Sequence, residues 1–193
     1  MSGLLSLALQ TLLTPRLVAE QLLALRLSRE VIVLAFALVV VLNTLIVTLM
    51  QTIGYGGAPI PFVVGPVVMV VMLAGMLATT MVFMTWVGRL MGGSGQIEDV
   101  AILLIWLQAL RALGQVIVAV AALISGALAS MLVIMALVVG IWILVQFLAV
   151  AHRFDSVLRA LLVLVFGSVA LVIALSLLFS FMGFSVGGMA ANV

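Results

Sequence analysis

Arg111 is the residue whose type and setting most suggest chemistry. It stands inside residues 100–124, a run of Val, Ala, Ile and Leu interrupted by little else than Trp106, Gln108, Gly114 and Gln115. Gln108 and Gln115 lie three residues before and four after the arginine, so on a helix all three share one face. An arginine near the centre of a bilayer costs about 2.5–3.5 kcal/mol on insertion scales. No Asp or Glu falls within an apolar run of this chain. The expected partners are therefore neutral: Gln108, Gln115, Asn43 and Gln146, or backbone carbonyls. Two readings follow. In one, Arg111 and the glutamines form an intramembrane polar site for an anion, a lipid headgroup or a substrate. In the other, they form a network that locks helix packing, or the arginine snorkels to a membrane face about 16 Å away along the helix.

The remaining reactive residue types are few. His152 is the one histidine, and cysteine is absent, so the residue set does not suit a transition-metal site. Beside Arg153 and Asp155, His152 reads as an interfacial residue at a helix end. The absence of lysine excludes lysine Schiff-base chemistry and a P-loop lysine. Gly92-Gly93-Ser94-Gly95 reads as a helix-to-helix turn, not a phosphate cradle. Glu98 and Asp99 are adjacent, point in different directions on a helix, and suit a helix start better than an acid–base pair. The methionines between Met69 and Met91 read as packing and lipid-facing material. No catalytic residue, metal or cofactor is expected.

These residues need elements to hold them, and composition states what kind. Of 193 residues, 68% are hydrophobic and 6% charged, against about 25% charged in a soluble domain. The chain lacks the polar residues to cover a soluble surface, so its apolar surface belongs in lipid. The fold class is an all-α integral membrane protein. The net charge of +2 rests on too few groups to indicate nucleic acid.

Five runs have the length that a bilayer requires: residues 31–51, 66–87, 100–124, 131–150 and 156–181. They make a membrane bundle over residues 30–193, preceded by an interfacial, amphipathic segment, residues 1–29. Within that segment Ser2, Ser6, Gln10 and Thr14 give a short helix one thin polar edge. Thr14-Pro15 then reads as an N-cap and first helical residue. Val18, Leu22 and Leu25 line one face of the second short helix, with Arg16 and Glu20 paired elsewhere, and Arg26 and Arg29 close it at headgroup level. Residues 125–130 read as a short turn between the third and fourth spans. In the second span, Ala74 and Ala78, and Gly75 and Thr79, have the small-xxx-small spacing that permits close helix approach.

Arginine placement orients the bundle. Setting Arg111 aside, Arg16, Arg26, Arg29, Arg89, Arg153 and Arg159 all fall on one side, and the other side has none. The positive-inside bias makes the amino terminus cytoplasmic and the carboxyl terminus external. All five acids also fall on the cytoplasmic side. Ionic contacts with a partner are thus expected there or within the membrane.

This organisation resembles the Yip family of Ypt/Rab-interacting membrane proteins, in its short bacterial branch. The resemblance lies in Thr14-Pro15-Arg16 before an arginine-bearing helix, five spans, and Gly92-Gly93-Ser94-Gly95 with its following acids. His152-Arg153-Phe154-Asp155 leading into Arg159-Ala160-Leu161 completes it. It implies the five-span topology. Eukaryotic members act in vesicle traffic with small GTPases and carry an acidic-Leu-Tyr-Gly-Pro motif, which this sequence does not contain. For bacterial members it implies no catalytic residue. The expected function is a non-enzymatic accessory or scaffold protein of the bacterial inner membrane. Its partners are membrane lipids and either a larger membrane complex or further copies of itself. The alternative is a transporter or lipid-handling protein with its path around Arg111.

Overall fold

The computed structural model describes residues 2–52 and 65–181. The connection 53–64 and the tail 182–193, both turn-rich in sequence, lie outside the described residues. Seven helices make up the described chain: α1 (Ser2–Leu13), α2 (Pro15–Ala24), α3 (Arg29–Thr52), α4 (Pro66–Leu90), α5 (Ile97–Ile124), α6 (Gly126–Ala151) and α7 (Val157–Phe181). There is no strand among the described residues. The last five are long and apolar enough to cross a membrane. The longest, α5, has 28 residues and rises about 42 Å, more than the roughly 30 Å of a hydrocarbon core.

Local chemistry explains where the helices begin and end. Ser28 precedes α3 and accepts a hydrogen bond from the Val31 N–H through its Oγ (3.5 Å). At the start of α5, the Gln96 N–H donates to Asp99 Oδ2 (3.5 Å). Glu98 instead reaches across to Arg29 (3.0 Å), joining the first turns of α5 and α3. Arg29 is largely exposed, so this pair contributes at most about 1 kcal/mol. Thr14 does not cap α2 through its side chain. Its hydroxyl donates back to Gln10 O (3.1 Å), because α1 still runs directly before it and offers that carbonyl.

The reversal between α5 and α6 takes one residue, Ser125, in extended backbone conformation. The Ser125 N–H donates to Ala121 O (2.9 Å) and its carbonyl accepts from Ala129 N (3.1 Å). Residues 126–130 therefore continue as helix instead of forming a longer turn, and Ser130 bonds back to Gly126 O (2.9 Å). Short polar side chains satisfying a carbonyl one turn earlier are compatible with a helix.

Around the bundle, each helix touches the next in the order α3, α5, α6, α7, α4 and back to α3, and α4 also touches α5. The close packing is concentrated at one end. Six consecutive residues of α5, Val100 to Ile105, are buried, so that this stretch of the helix is enclosed on all sides. Met81, Met84, Thr85 and Val87 near the end of α4 meet this core, as do Val145, Phe147 and Leu148 of α6 and Ala160 and Val163 of α7. At the opposite end Val67, Val71, Ile117, Val120, Leu123, Ile134 and Leu137 are exposed. Between apolar helices in lipid there is no hydrophobic drive to associate, so tight packing relies on fit and on polar contacts. The two ends of this bundle differ in those.

The amino-terminal helices sit on the packed end. α2 rests on α5 and α6 and buries Val18, Ala19 and Leu22. Leu25, which keeps helical backbone angles as the cap of the helix, is exposed and does not share the buried face of Val18 and Leu22. Arg16 and Glu20 pair at 3.5 Å, each half exposed. α1 is held through Thr11, which is fully buried. Its Oγ1 donates to Leu7 O (2.7 Å) and accepts from Trp106 Nε1 on α5 (3.0 Å).

Candidate functional site

Polar residues inside the spans take two different positions. Asn43 is buried on α3, and its Nδ2 donates to Val39 O (2.8 Å) and reaches the Gln108 carbonyl on α5 (3.5 Å). This is a hydrogen bond between helices, within apolar surroundings where it stabilises by about 1 kcal/mol. Gln146 is buried on α6, while Gln108 and Gln115 are half-buried on α5. The Gln115 Oε1 is enclosed without a hydrogen-bond partner. Arg111 lies on the exposed side of α5, whereas its neighbour Ala112 is buried. Among the described residues no hydrogen bond or ion pair joins Arg111 to Gln108, Gln115, Asn43 or Gln146. The structure thus joins Asn43 to the backbone of Gln108 and leaves the guanidinium outside that contact.

The small residues of α4 divide similarly. Ala74 packs at the edge of the core, but Ala78 is exposed and a methyl group built on Gly75 would meet nothing within 4 Å. The Thr79 hydroxyl donates to Gly75 O (2.7 Å). Close approach inside the chain occurs elsewhere. A methyl at Gly167 on α7 would lie 2.9 Å from Met84 Sδ on α4. At Gly88 it would overlap the ring of His152.

That second contact belongs to a clasp built from two helix ends. α4 closes with Gly92 at positive φ (84°), the Gly93 N–H on Gly88 O (2.9 Å) and the Gly92 N–H on Arg89 O (3.0 Å). α6 closes with Arg153 at φ 55°, the Phe154 N–H on Ala149 O (2.9 Å) and the Arg153 N–H on Val150 O (3.1 Å). Both are Schellman motifs, which satisfy carbonyls that a helix end would otherwise leave unpaired. The two ends are joined by Ser94 N–H on His152 O (3.2 Å), and Arg89 Nε donates to Gly95 O (2.9 Å). His152 fills the space between them. It is fully buried and stacks on Phe154 with ring centroids 5.5 Å apart and planes 14° apart. Methyl groups at Gly93 and Gly95 would come within 2.8 Å of its Cβ and 2.7 Å of its Cδ2. Three glycines therefore shape the niche of one imidazole.

Burial holds the His152 pKa below 6.5, and the Arg89 charge acts in the same direction. The Leu148 and Thr85 carbonyls and Asp99 oppose this. Nδ1 lies 3.1 Å from Leu148 O. Nε2 is buried, and although the Thr85 carbonyl faces the ring, no hydrogen bond closes there. The result is a neutral imidazole enclosed by backbone. No three of the His, Asp and Glu residues among the described ones stand together to hold a metal. The sequence separated this site into a glycine turn and an interfacial histidine. The signal for their meeting was that both carry helix-ending residues, Gly92 on one and His152-Arg153 on the other.

Two surface grooves complete the candidates. One, about 440 Å³, runs between α6 and α7 past Trp142 and Leu161. The other, about 250 Å³, lies among α2, α3 and α5 beside Leu22, Leu38 and Trp106. Both have apolar linings, and neither includes Arg111, Gln108 or Gln115.

Five long apolar helices, with polar side chains satisfied largely by backbone, define a multi-pass membrane protein of the all-α class. The family model for the Yip1 domain matches residues 9–188. The chain belongs to the Yip1 domain family. The match runs from α1 into the tail and includes both halves of the clasp. No curated protein and no solved structure matches the chain.

Proposed function

We propose that this protein is a non-enzymatic accessory or scaffold protein of the bacterial inner membrane, acting through helix–helix contacts with a larger membrane complex or with itself. Its amino terminus is cytoplasmic, its carboxyl terminus is external, and α1 and α2 occupy the cytoplasmic interface. The observation that carries the scaffold reading is the outward placement of residues suited to helix contacts. Arg111 is exposed on α5, and Gly75 and Ala78 leave open space on α4. The six-to-none distribution of the arginines other than Arg111 supports the orientation. A transport or lipid-moving path around Arg111 is the alternative. The two grooves described above have apolar linings, and Arg111 lines neither.

Purification in native nanodiscs, followed by mass spectrometry, tests the proposal. A stoichiometric protein partner, or a defined oligomer weakened by replacing Gly75 and Thr79 with Leu, is the expected result. A lone protein that moves an anionic substrate, with flux abolished in a folded Arg111→Gln variant, would overturn it.

A further inference from the structure

We infer that Arg111 is the docking point for a membrane helix of another protein that carries a carboxylate near the middle of its own span. This inference rests on the scaffold reading and names the chemistry of the partner. Arg111 stands at the midpoint of α5 (Ile97–Ile124), about 20 Å along the axis from either end. The headgroup region begins about 15 Å from the bilayer centre. With the midpoint of α5 set at the bilayer centre, an arginine stem of three methylenes covers less than half of that distance and leaves the guanidinium short of the surface phosphates. Within the chain, no hydrogen bond or ion pair of the described residues engages Arg111, which is exposed.

A second copy does not meet the need either. The five acids of this chain, Glu20, Glu30, Glu98, Asp99 and Asp155, all lie outside the middle of the spans. A symmetric pair at α5 would bring arginine towards arginine. What complements an outward cation at mid-membrane is a carboxylate at the same depth on another chain, because charges inside a membrane pair with one another. The surroundings suit a helix. Gly114, one turn from Arg111, would accept a methyl without meeting any atom within 4 Å, so a partner backbone has room to approach.

The test uses the full chain in phosphatidylcholine nanodiscs with a single-span Leu/Ala probe helix. The probe carries Glu at its centre, Gln at its centre, or Glu one turn inside one end, and association is read by resonance energy transfer. The Glu-centred probe should bind about tenfold more tightly than the Gln-centred one. Arg111→Leu should remove that difference, and Arg111→Lys should retain most of it. Arg111→Glu should transfer the preference to a probe with central Arg. Because the side chain points away from the core, Arg111→Leu should leave thermal stability of the isolated protein unchanged or raised.

Equal binding of the Glu- and Gln-centred probes overturns the inference. So does equal binding of the probe with Glu near its end, which would put the guanidinium at headgroup level. Loss of the preference when phosphatidylglycerol is added would make a lipid the occupant and also overturn it. A marked loss of stability in Arg111→Leu would make the residue an internal packing element, and the inference would fall on that result too. If a partner is retained equally by wild type and Arg111→Leu, the scaffold reading stands and this inference falls. If wild type retains none, the scaffold reading falls while the probe assay still decides Arg111.

Discussion

Replacing Gly88 by Ala should destabilise the protein when His152 is present and stabilise it when His152 is absent. In the wild-type chain a methyl at Gly88 overlaps the imidazole, with Cε1 only 2.6 Å away, and the ring is enclosed by Gly93, Gly95 and Phe154. It has no free direction in which to move. Overpacking of this kind costs about 1–3 kcal/mol. Against it stands the intrinsic advantage of Ala over Gly in a helix, about 1 kcal/mol. The net loss for Gly88→Ala is therefore up to about 2 kcal/mol. His152→Ala alone empties a fully buried site and should lose about 2–4 kcal/mol. In that background the new methyl strikes nothing and partly refills the void, so Gly88→Ala should gain about 1 kcal/mol. The coupling between the two positions is the overpacking term itself, about 1–3 kcal/mol. Four proteins in bicelles, titrated with denaturing detergent and followed by tryptophan fluorescence, give the cycle. Equal effects of Gly88→Ala in both backgrounds would refute the fit of ring and glycine as the basis of the clasp.

Other outcomes follow from the same structure. Because His152 is held neutral in the folded protein, below 6.5 the unfolded chain takes up a proton that the folded one resists. Stability should be full above 6.5, decline as pH falls from there through the depressed folded value, and level off below it; His152→Gln should remove this component of an unfolding titration. Arg153 occupies the left-handed region at φ 55°, so Arg153→Gly should stabilise by about 1 kcal/mol and Arg153→Val should destabilise by a comparable amount. The cysteine-free chain suits single-cysteine labelling. In sealed cells, Ser94→Cys should resist an impermeant maleimide and Ser125→Cys should react, and the reverse pattern would invert the proposed orientation.

The spans were readable because length and apolarity suffice for a membrane helix: residues 100–124 announce α5 without any tertiary information. The direction that Arg111 faces was not readable in the same way. The i−3 and i+4 spacing places Gln108 and Gln115 beside it, but all the other sides of α5 are apolar, so the pattern does not say whether this one polar face turns towards the bundle or away from it. The same reasoning explains Gly75 and Thr79, whose spacing signals a capacity for close contact without naming the neighbour. The clasp was hidden for another reason. Gly88 and His152 are far apart in sequence, and a glycine that ends a helix looks the same as one that makes room for a ring. Only the meeting of the carboxyl-terminal ends of α4 and α6 distinguishes them.

The docking of α2 has a consequence for how the chain is made. Its buried residues Val18, Ala19 and Leu22 rest on α5 and α6, which emerge from the ribosome long after α2 does. Synthesis proceeds at about 5–20 residues per second, so α2 waits several seconds before its site exists. During that interval its apolar face has no part of the chain to cover it. Completion of α6 then supplies the missing surface, so the burial of Val18, Ala19 and Leu22 marks the moment at which the packed end of the bundle has closed.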